Sequence, residues 1–286
     1  MNAIIMAAGT SSRFVPLSVE RPKGLLEVKG EILIERQLRQ LKEAGIEDIT
    51  IVTGYKAAMF DYLRNKFGVD TVYNEDYNRY NNTSSIIRVI DRLSDTFICC
   101  SDHYFSQNVF LEPANESYYA ARYADGETGE YCLRVDDNDY ITEVTIGGND
   151  AWYMAGHVFF KESFSKKFRN IMNKEYIFDS VRNGYWEDVY INHLQELPMQ
   201  IRRYPDEAVF EFDTLDELRL FDESYVGNTR SKIVKEISGM LSCDESELYG
   251  FQKMKHDGDY MLFSFCHNDV KYVYDELDSM KIKQVK

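Results

Sequence analysis

Residues 4–23 read IIMAAGTSSRFVPLSVERPK, and no other stretch restricts the fold and its use as much. A short apolar strand passes directly into a loop of small residues, Ala7, Ala8, Gly9, Thr10, Ser11 and Ser12. Arg13 follows at once, and Pro22-Lys23 closes the segment. Small residues let a backbone approach a ligand closely, and the N–H groups of such a loop form an anion-binding nest. Arg13 and Lys23 add two cations of the kind that bind polyphosphate. The segment therefore reads as a cradle for a nucleoside triphosphate. A dinucleotide fingerprint needs three spaced glycines, and a P-loop ends in Gly-Lys-Ser/Thr. The loop has Gly9 alone and neither pattern. An ordinary strand-to-helix turn is the plain alternative.

The chain has 286 residues, enough for one large α/β domain with an appendage or for two domains. Its 44% hydrophobic content can fill a core, and no run approaches the roughly 18 apolar residues of a membrane span. The first residues lack a basic region and a cleavage site, so a cytoplasmic location is expected. A net charge of −15 argues against nucleic-acid or anionic-membrane partners. It leaves room for an anionic substrate held by local cations or a divalent ion. The cysteines, at 99, 100, 132, 243 and 266, show no metal-ligand spacing, and Cys99-Cys100 reads as a buried free pair.

Strand and helix signals alternate from the start. Strands are predicted at 3–6, 49–53, 71–73 and 96–100, with helices at 31–44, 56–67 and 84–93. This order implies an α/β fold with a doubly wound, mostly parallel central sheet, whose ligands sit beyond the carboxyl ends of the strands. From Tyr118 the pattern turns to strands at 118–123, 130–135, 140–146 and 152–160, with a hairpin turn at 136–139. Helices follow at 161–172 and 186–197, then strands at 199–204 and 208–212. A helix at 214–225 opens with a Thr214/Glu217 capping box. A boundary at Gly227-Asn228 divides a domain of residues 1–226 from a small α+β appendage, 227–286. The appendage reads as a helix at 231–241 and strands near 249–255, 260–266 and 271–274, with turns at Asp257-Gly258 and Asn268-Asp269.

Nucleotidyl transfer needs alignment, cations on the phosphates and usually magnesium, which prefers one or two carboxylates plus phosphate oxygens. Asp102 follows the apolar strand 97–100 and should stand at the sheet's ligand edge, or serve as a turn residue. Glu211 and Asp213 flank Phe212 at the end of a strand and share one face. Asp213 also suits the N-cap of the next helix.

The Ala-Ala-Gly, Arg and Pro-Lys pattern is that of the sugar-phosphate-type nucleotidyltransferases. Over residues 1–225 the chain resembles, more narrowly, the bacterial CTP:phosphocholine cytidylyltransferases of the LicC type. The matching stretches are AIIMAAGTSSRFVPLSVERPKGLLEV, LKEAGIEDITIVTGYKAAMFDYL, FGVDTVYNEDYNRYNNTSS, the SD of SDHYF, and VFEFDTLDEL. The resemblance implies a Rossmann-like fold with a small β insertion. It implies that Ala7, Ala8, Gly9, Thr10 and Arg13 form the nucleotide loop and that Lys23 binds phosphate. Asn81, Asn82, Thr83 and Ser84 would hold the base and ribose. Asp102, Glu211 and Asp213 would hold magnesium, with Arg13, Lys23 and Asp102 as the catalytic set.

The same resemblance places Tyr131, Asp188 and Tyr190 against phosphocholine, with Tyr131 where a tryptophan is expected. A quaternary ammonium donates no hydrogen bonds, so proteins surround it with ring faces and a carboxylate. The chain holds 21 Tyr and 17 Phe, and its Tyr185–Tyr190 run is rich in both rings and acids. Trp152, Tyr153 and His157 are reserve candidates, although His157 on an apolar strand reads better as a satisfied core histidine.

The tail weakly resembles the first strands of the small lobe of choline-kinase-like phosphotransferases, without room for a kinase catalytic loop. It reads as an appendage for packing, dimerisation or regulation, so a homodimer is an expected partner state. The expected reaction is CTP plus phosphocholine giving CDP-choline and pyrophosphate. A sugar 1-phosphate or phosphoethanolamine is the alternative acceptor. A non-catalytic nucleotide-binding regulator is the alternative of another class.

Overall fold

The computed structural model of the chain describes residues 1–255 and 261–285. The chain forms two compact units. One comprises Met1–Gly9 and Leu33–Phe210, the other Thr10–Ile32 and Glu211–Lys286. The second unit thus takes in the loop segment 10–32 as well as the residues after 226.

The first unit is built on seven strands: β1 (Asn2–Ala7), β2 (Ile49–Thr53), β3 (Asp70–Tyr73), β4 (Thr96–Cys100), β5 (Tyr118–Val135), β6 (Ile141–Phe160) and β7 (Gln200–Arg203). Their order is β7-β5-β6-β4-β1-β2-β3. β4, β1, β2 and β3 run parallel, β6 is antiparallel to both β4 and β5, and β7 returns parallel to β5. Ala3, Ile4 and Ile5 are fully buried, as a continuous apolar run in a sheet covered on both faces must be. Helix α1 (Leu33–Glu43) buries Leu33, Leu38 and Leu41 and turns polar groups to the segment after β4. Gln37 Nε2 donates to the carbonyls of Cys100 (2.8 Å) and His103 (2.9 Å), and Arg36 Nε donates to that of Phe105 (2.8 Å). The backbone around Asp102 is thereby fixed from below.

The strand-rich stretch departs from expectation. Four short strands were expected between 118 and 160, and the chain instead forms two long ones of 18 and 20 residues. Gly126, Gly129, Gly147 and Gly148 fall between the expected strands. In a two-stranded ribbon they are accommodated by register shifts, such as the one between Ala124 and Glu127. Apart from the one predicted at 161–172, the helices are shorter than predicted. Lys56 takes a left-handed conformation (φ 49°) before a 3-10 turn, Ala57–Phe60, so α2 spans only Tyr62–Phe67. α3 is Thr83–Arg88, followed by a separate turn, Ile90–Arg92. α4 (Glu162–Glu175) precedes an unexpected short α5 (Asp179–Asn183), and α6 is Trp186–Asn192. Cys99 is buried and Cys100 only partly so, and no disulfide joins any of the five cysteines.

In the second unit, α7 (Leu215–Phe221) is capped by Thr214, whose Oγ1 accepts from Glu217 N at 3.2 Å. The return arm of the expected box lands one residue early, on Asp213 N, at 2.7 Å from Glu217 Oε2. α8 (Lys232–Leu241) has Ser231 as N-cap, and the Glu20 carboxylate accepts from the Ser231 hydroxyl and from Lys232 N and Ile233 N. Tyr225 Oη donates to Glu27 O at 2.7 Å. These bonds join the 10–32 segment to the tail within one unit. The antiparallel sheet β8 (Leu248–Lys253), β9 (Leu262–His267), β10 (Val270–Asp275) and β11 (Ile282–Gln284) follows, its last strand unforeseen. The Asp257-Gly258 turn and the Tyr260 start of its strand lie outside the described residues. No helix among the described residues is long and apolar enough to cross a membrane.

Gly54 closes β2 where the chain passes Ala8. A Cβ there would stand 2.5 Å from Tyr77 Cβ and 2.8 Å from the Ala8 carbonyl oxygen, two atoms that cannot swing aside. Gly54→Ala is therefore expected to cost about 1–3 kcal/mol, the range for overpacking. A lowered urea midpoint with unchanged slope would show it, and an unchanged midpoint would refute the close approach.

Candidate active site

In the second unit the loop segment and the end of the 208–213 stretch meet. After Ser11, which is left-handed (φ 48°), Ser12–Phe14 forms a single 3-10 turn. Its Arg13 Nη1 lies 2.8 Å from Asp213 Oδ2. Lys23 is only 4% exposed, yet its Nζ is 3.6 Å from both Glu211 Oε1 and Asp213 Oδ1. The Phe14 ring lies 5.9 Å from the same ammonium. Glu211 and Asp213 thus converge on one cation position, with Phe212 turned inward against Phe221 (4.9 Å between ring centres). Burial raises the Asp213 carboxyl above the usual carboxylate range. Lys23 opposes that shift, Glu211 adds to it, and Arg13 opposes it again. A cavity of about 620 Å³ opens beside Ser12 and Arg13, walled by Thr214 and by Phe251, Gln252, Lys253, Met254 and Lys255.

In the first unit, the carboxyl ends of the parallel strands line up. Ser101 N donates to Met6 O, Tyr55 N to Ala8 O, and Asn74 N to Thr53 O, all within 3.0 Å. Ala7 and Ala8 are buried, while Gly9 and Thr10 are exposed. Asp102 is half-buried just after β4, where one possible ligand atom each from Cys100, Asp102 and His103 lie within 4.8 Å of one another.

The Asn81–Ser84 segment braces a second region of the same unit. Asn82 Oδ1 accepts from Trp186 N (2.8 Å), and its Nδ2 donates to Glu187 Oε2 (3.1 Å). Thr83 Oγ1 sits within 3.2 Å of the carbonyls of Val181, Arg182 and Gly184. Ser84 Oγ donates to Asn81 O (2.7 Å) and accepts from the buried Asn74 amide (2.8 Å). Asn82, Thr83 and Ser84 therefore direct these polar atoms at protein, holding the start of α6 in place.

That helix carries two of the expected acceptor residues, Asp188 and Tyr190, and β5 carries the third, Tyr131. Tyr131 Oη donates to Asp188 Oδ1 at 3.1 Å, and Asp188 Oδ2 accepts from Tyr185 N at 2.8 Å, capping α6. Burial, then the Asp188 charge, pushes the Tyr131 hydroxyl well up. Tyr190 does not join them. It is fully buried against Phe164 in the core, on the opposite face of the helix. Glu187, which the sequence did not single out, does join them. Tyr119 Oη donates to its Oε1 (3.2 Å), and Tyr119 stacks on Trp186 at 5.9 Å and 12°. Burial pushes Glu187 up to about 7, against the hydrogen bonds from Asn82, its own backbone and Tyr119.

The reserve residues fare differently. Trp152 packs edge-on to Tyr123 and under the Arg203 guanidinium (5.4 Å), and Tyr153 pairs with Arg122 across the ribbon. His157 is a core residue, fully buried among Phe105, Phe110, Tyr118 and Tyr204. It is not satisfied, since neither ring nitrogen has a hydrogen-bond partner among the described residues. Burial drops its pKa to about 3, so it stays neutral.

Comparison with known proteins decides the family. Residues 3–132 match the MobA-like NTP transferase domain. The 2-aminoethylphosphonate cytidylyltransferase of Lancefieldella rimae is 36% identical over 234 residues, covering 80% of this chain and 95% of that protein. The chain belongs to the cytidylyltransferase family. The choline-phosphate cytidylyltransferase of Streptococcus pneumoniae is another family member, 30% identical over 78% of this chain and 97% of its own length. The solved CTP:phosphocholine cytidylyltransferase of the same organism superposes with a TM-score of 0.75, covering 78% of this chain and 98% of that one. Family membership makes the chain a nucleotidyltransferase, and the mostly parallel sheet matches that structure's fold.

The state of Glu187 gives a test of the α6 region. Its carboxyl loses a proton near 4.5 in the unfolded chain and near about 7 in the folded one, so the folded state binds more protons between. Stability should fall as pH rises through that window, and Glu187→Gln should remove this part of the fall. Urea midpoints of both proteins across the window check it, and an unaltered slope in the variant refutes the raised carboxyl.

Proposed function

We propose that the chain transfers CMP from CTP to phosphocholine, giving CDP-choline and pyrophosphate. The observation that carries the reading is the convergence of Glu211 and Asp213 on the buried Lys23, with Arg13 on the outer oxygen of Asp213. A phosphate oxygen of the acceptor attacks the α-phosphorus, the bond from that phosphorus to the β-phosphate oxygen breaks, and pyrophosphate leaves. The attacking phosphate is already ionised near neutral pH, so no general base is required. Arg13 and Lys23 offset the charge that grows on the departing pyrophosphate, where fixed cations act most strongly.

Glu211 and Asp213 offer hard oxygen donors aimed at one cation position, a set that fits magnesium. They would hold it, and the ion would neutralise phosphate charge. Asp102 is proposed as a further carboxylate of the reaction. Asn81, Asn82, Thr83 and Ser84 are proposed at the base and ribose, with Asn82–Ser84 acting through the loop they brace.

A specific observation favours 2-aminoethylphosphonate as the second acceptor. Glu187 and Asp188 are adjacent, Tyr131 presents a hydroxyl, and Tyr190 has withdrawn to the core. Carboxylates and hydroxyls suit a primary ammonium that donates hydrogen bonds, whereas a quaternary one asks for more ring faces. The Lancefieldella rimae relative is named for that acceptor.

Pyrophosphate release, measured with each nucleoside triphosphate against several acceptors, separates the readings. CTP with phosphocholine is expected to turn over. A higher kcat/KM with 2-aminoethylphosphonate would replace the acceptor, and turnover confined to glucose 1-phosphate would overturn both. Nucleotide binding without any release would leave the non-catalytic alternative. Lys23→Ala and Asp213→Asn should each lower kcat/KM by roughly 10²–10³, the size of losing one charge-stabilising group. Asp102→Asn should do likewise with an unchanged circular dichroism spectrum, and full activity in that variant removes Asp102 from the reaction.

A further inference from the structure

The tail carries a side-chain cluster that the transfer reaction does not use. α8 ends at Ser242, which is left-handed (φ 52°), and Cys243 N closes the helix on Ser238 O at 3.0 Å. A short turn, Glu245–Glu247, then leads into β8. Its first residue, Leu248, is the register partner of His267 at the end of β9. This path brings Cys243, Glu247 and His267 together. One possible ligand atom from each lies within 4.8 Å of the other two, and His267 Nε2 is 3.2 Å from Glu247 Oε2. The Asn268 amide, 3.2 Å from the same ring nitrogen, would have to yield to an ion.

We propose that Cys243, Glu247 and His267 form a binding site for a divalent transition-metal ion of the zinc class. Thiolate sulfur (soft), imidazole (borderline) and carboxylate (hard) make a mixed donor set that zinc accepts, unlike the all-oxygen sets of magnesium and calcium. Ligands about 2.0–2.3 Å from a shared tetrahedral ion stand about 3.3–3.8 Å apart, so small rotations of the three side chains suffice. Three protein ligands leave a fourth position for water. Glu247 is half exposed, which gives an ion a way in. Asp244 and Glu245 add negative charge nearby. Such an ion would fasten the end of α8 to the β8–β9 pair, a staple of the kind small sheets use. The cysteine spacing could not reveal it, because a single cysteine takes part.

The inference stands apart from the proposed transfer reaction. The full chain, stripped by a chelator, is titrated with Co²⁺ and then Zn²⁺. One equivalent of Co²⁺ is expected to produce a thiolate-to-cobalt charge-transfer band that Zn²⁺ displaces. Cys243→Ser should abolish the band. Glu247→Gln, which keeps the thiol, should retain the band and weaken Co²⁺ binding by at least about tenfold. No band in the unaltered chain overturns the proposal. A band that survives Cys243→Ser, or one that Cys100→Ser abolishes, also overturns it by placing the ion at Cys100, Asp102 and His103.

Discussion

The ammonium of Lys23 is the fixed point of the second unit. A lysine this deeply covered is tolerated only if opposite charge meets it, and Glu211 and Asp213 do so from a strand end almost two hundred residues on. The pairing works in both directions. The carboxylates are held close, though their mutual repulsion and the burial of Asp213 disfavour its charged form. Lys23 and Arg13 make that closeness tolerable.

The first unit solves a different problem. Its α6 region must keep a pair of adjacent acids, Glu187 and Asp188, beside stacked rings. It does so with neutral donors, among them the Asn82 amide, the Tyr185 N–H and the hydroxyls of Tyr119 and Tyr131. Neutral donors steady a carboxylate less than a cation does, so Glu187 remains easy to protonate. The two units thus hold acids in two ways, one by fixed charge and one by hydroxyl and amide.

Much of this was legible in the chain. The β1 run, the small-residue loop, Arg13, Lys23, Glu211 and Asp213 could be read because apolar runs, loop chemistry and the i, i+2 rule act locally. Tyr190 could not be placed, since which side of α6 turns to the core is set by residues distant in sequence, such as Phe164. Glu187 looked like any surface acid until Tyr119, far away in sequence, covered it. The ribbon of β5 and β6 misled because glycine marks both a strand's end and a bulge. Which segments share a compact unit is set by contacts between distant residues, and no local pattern encodes that.

The joining of distant segments in one unit bears on how the protein is made. The second unit consists of residues 10–32 and 211–286, with all of 33–210 between them. During synthesis the loop segment emerges early and must wait, its lysine without the two carboxylates, until the far end of the chain appears. The closure of so long an intervening segment is a late and slow event in entropy terms, though its cost grows only with the logarithm of length. Folding of the intervening first unit narrows that search, because residues 33–210 are then no longer a flexible coil. Assembly in that order makes Lys23 and Arg13 among the last residues of their unit to acquire their partners.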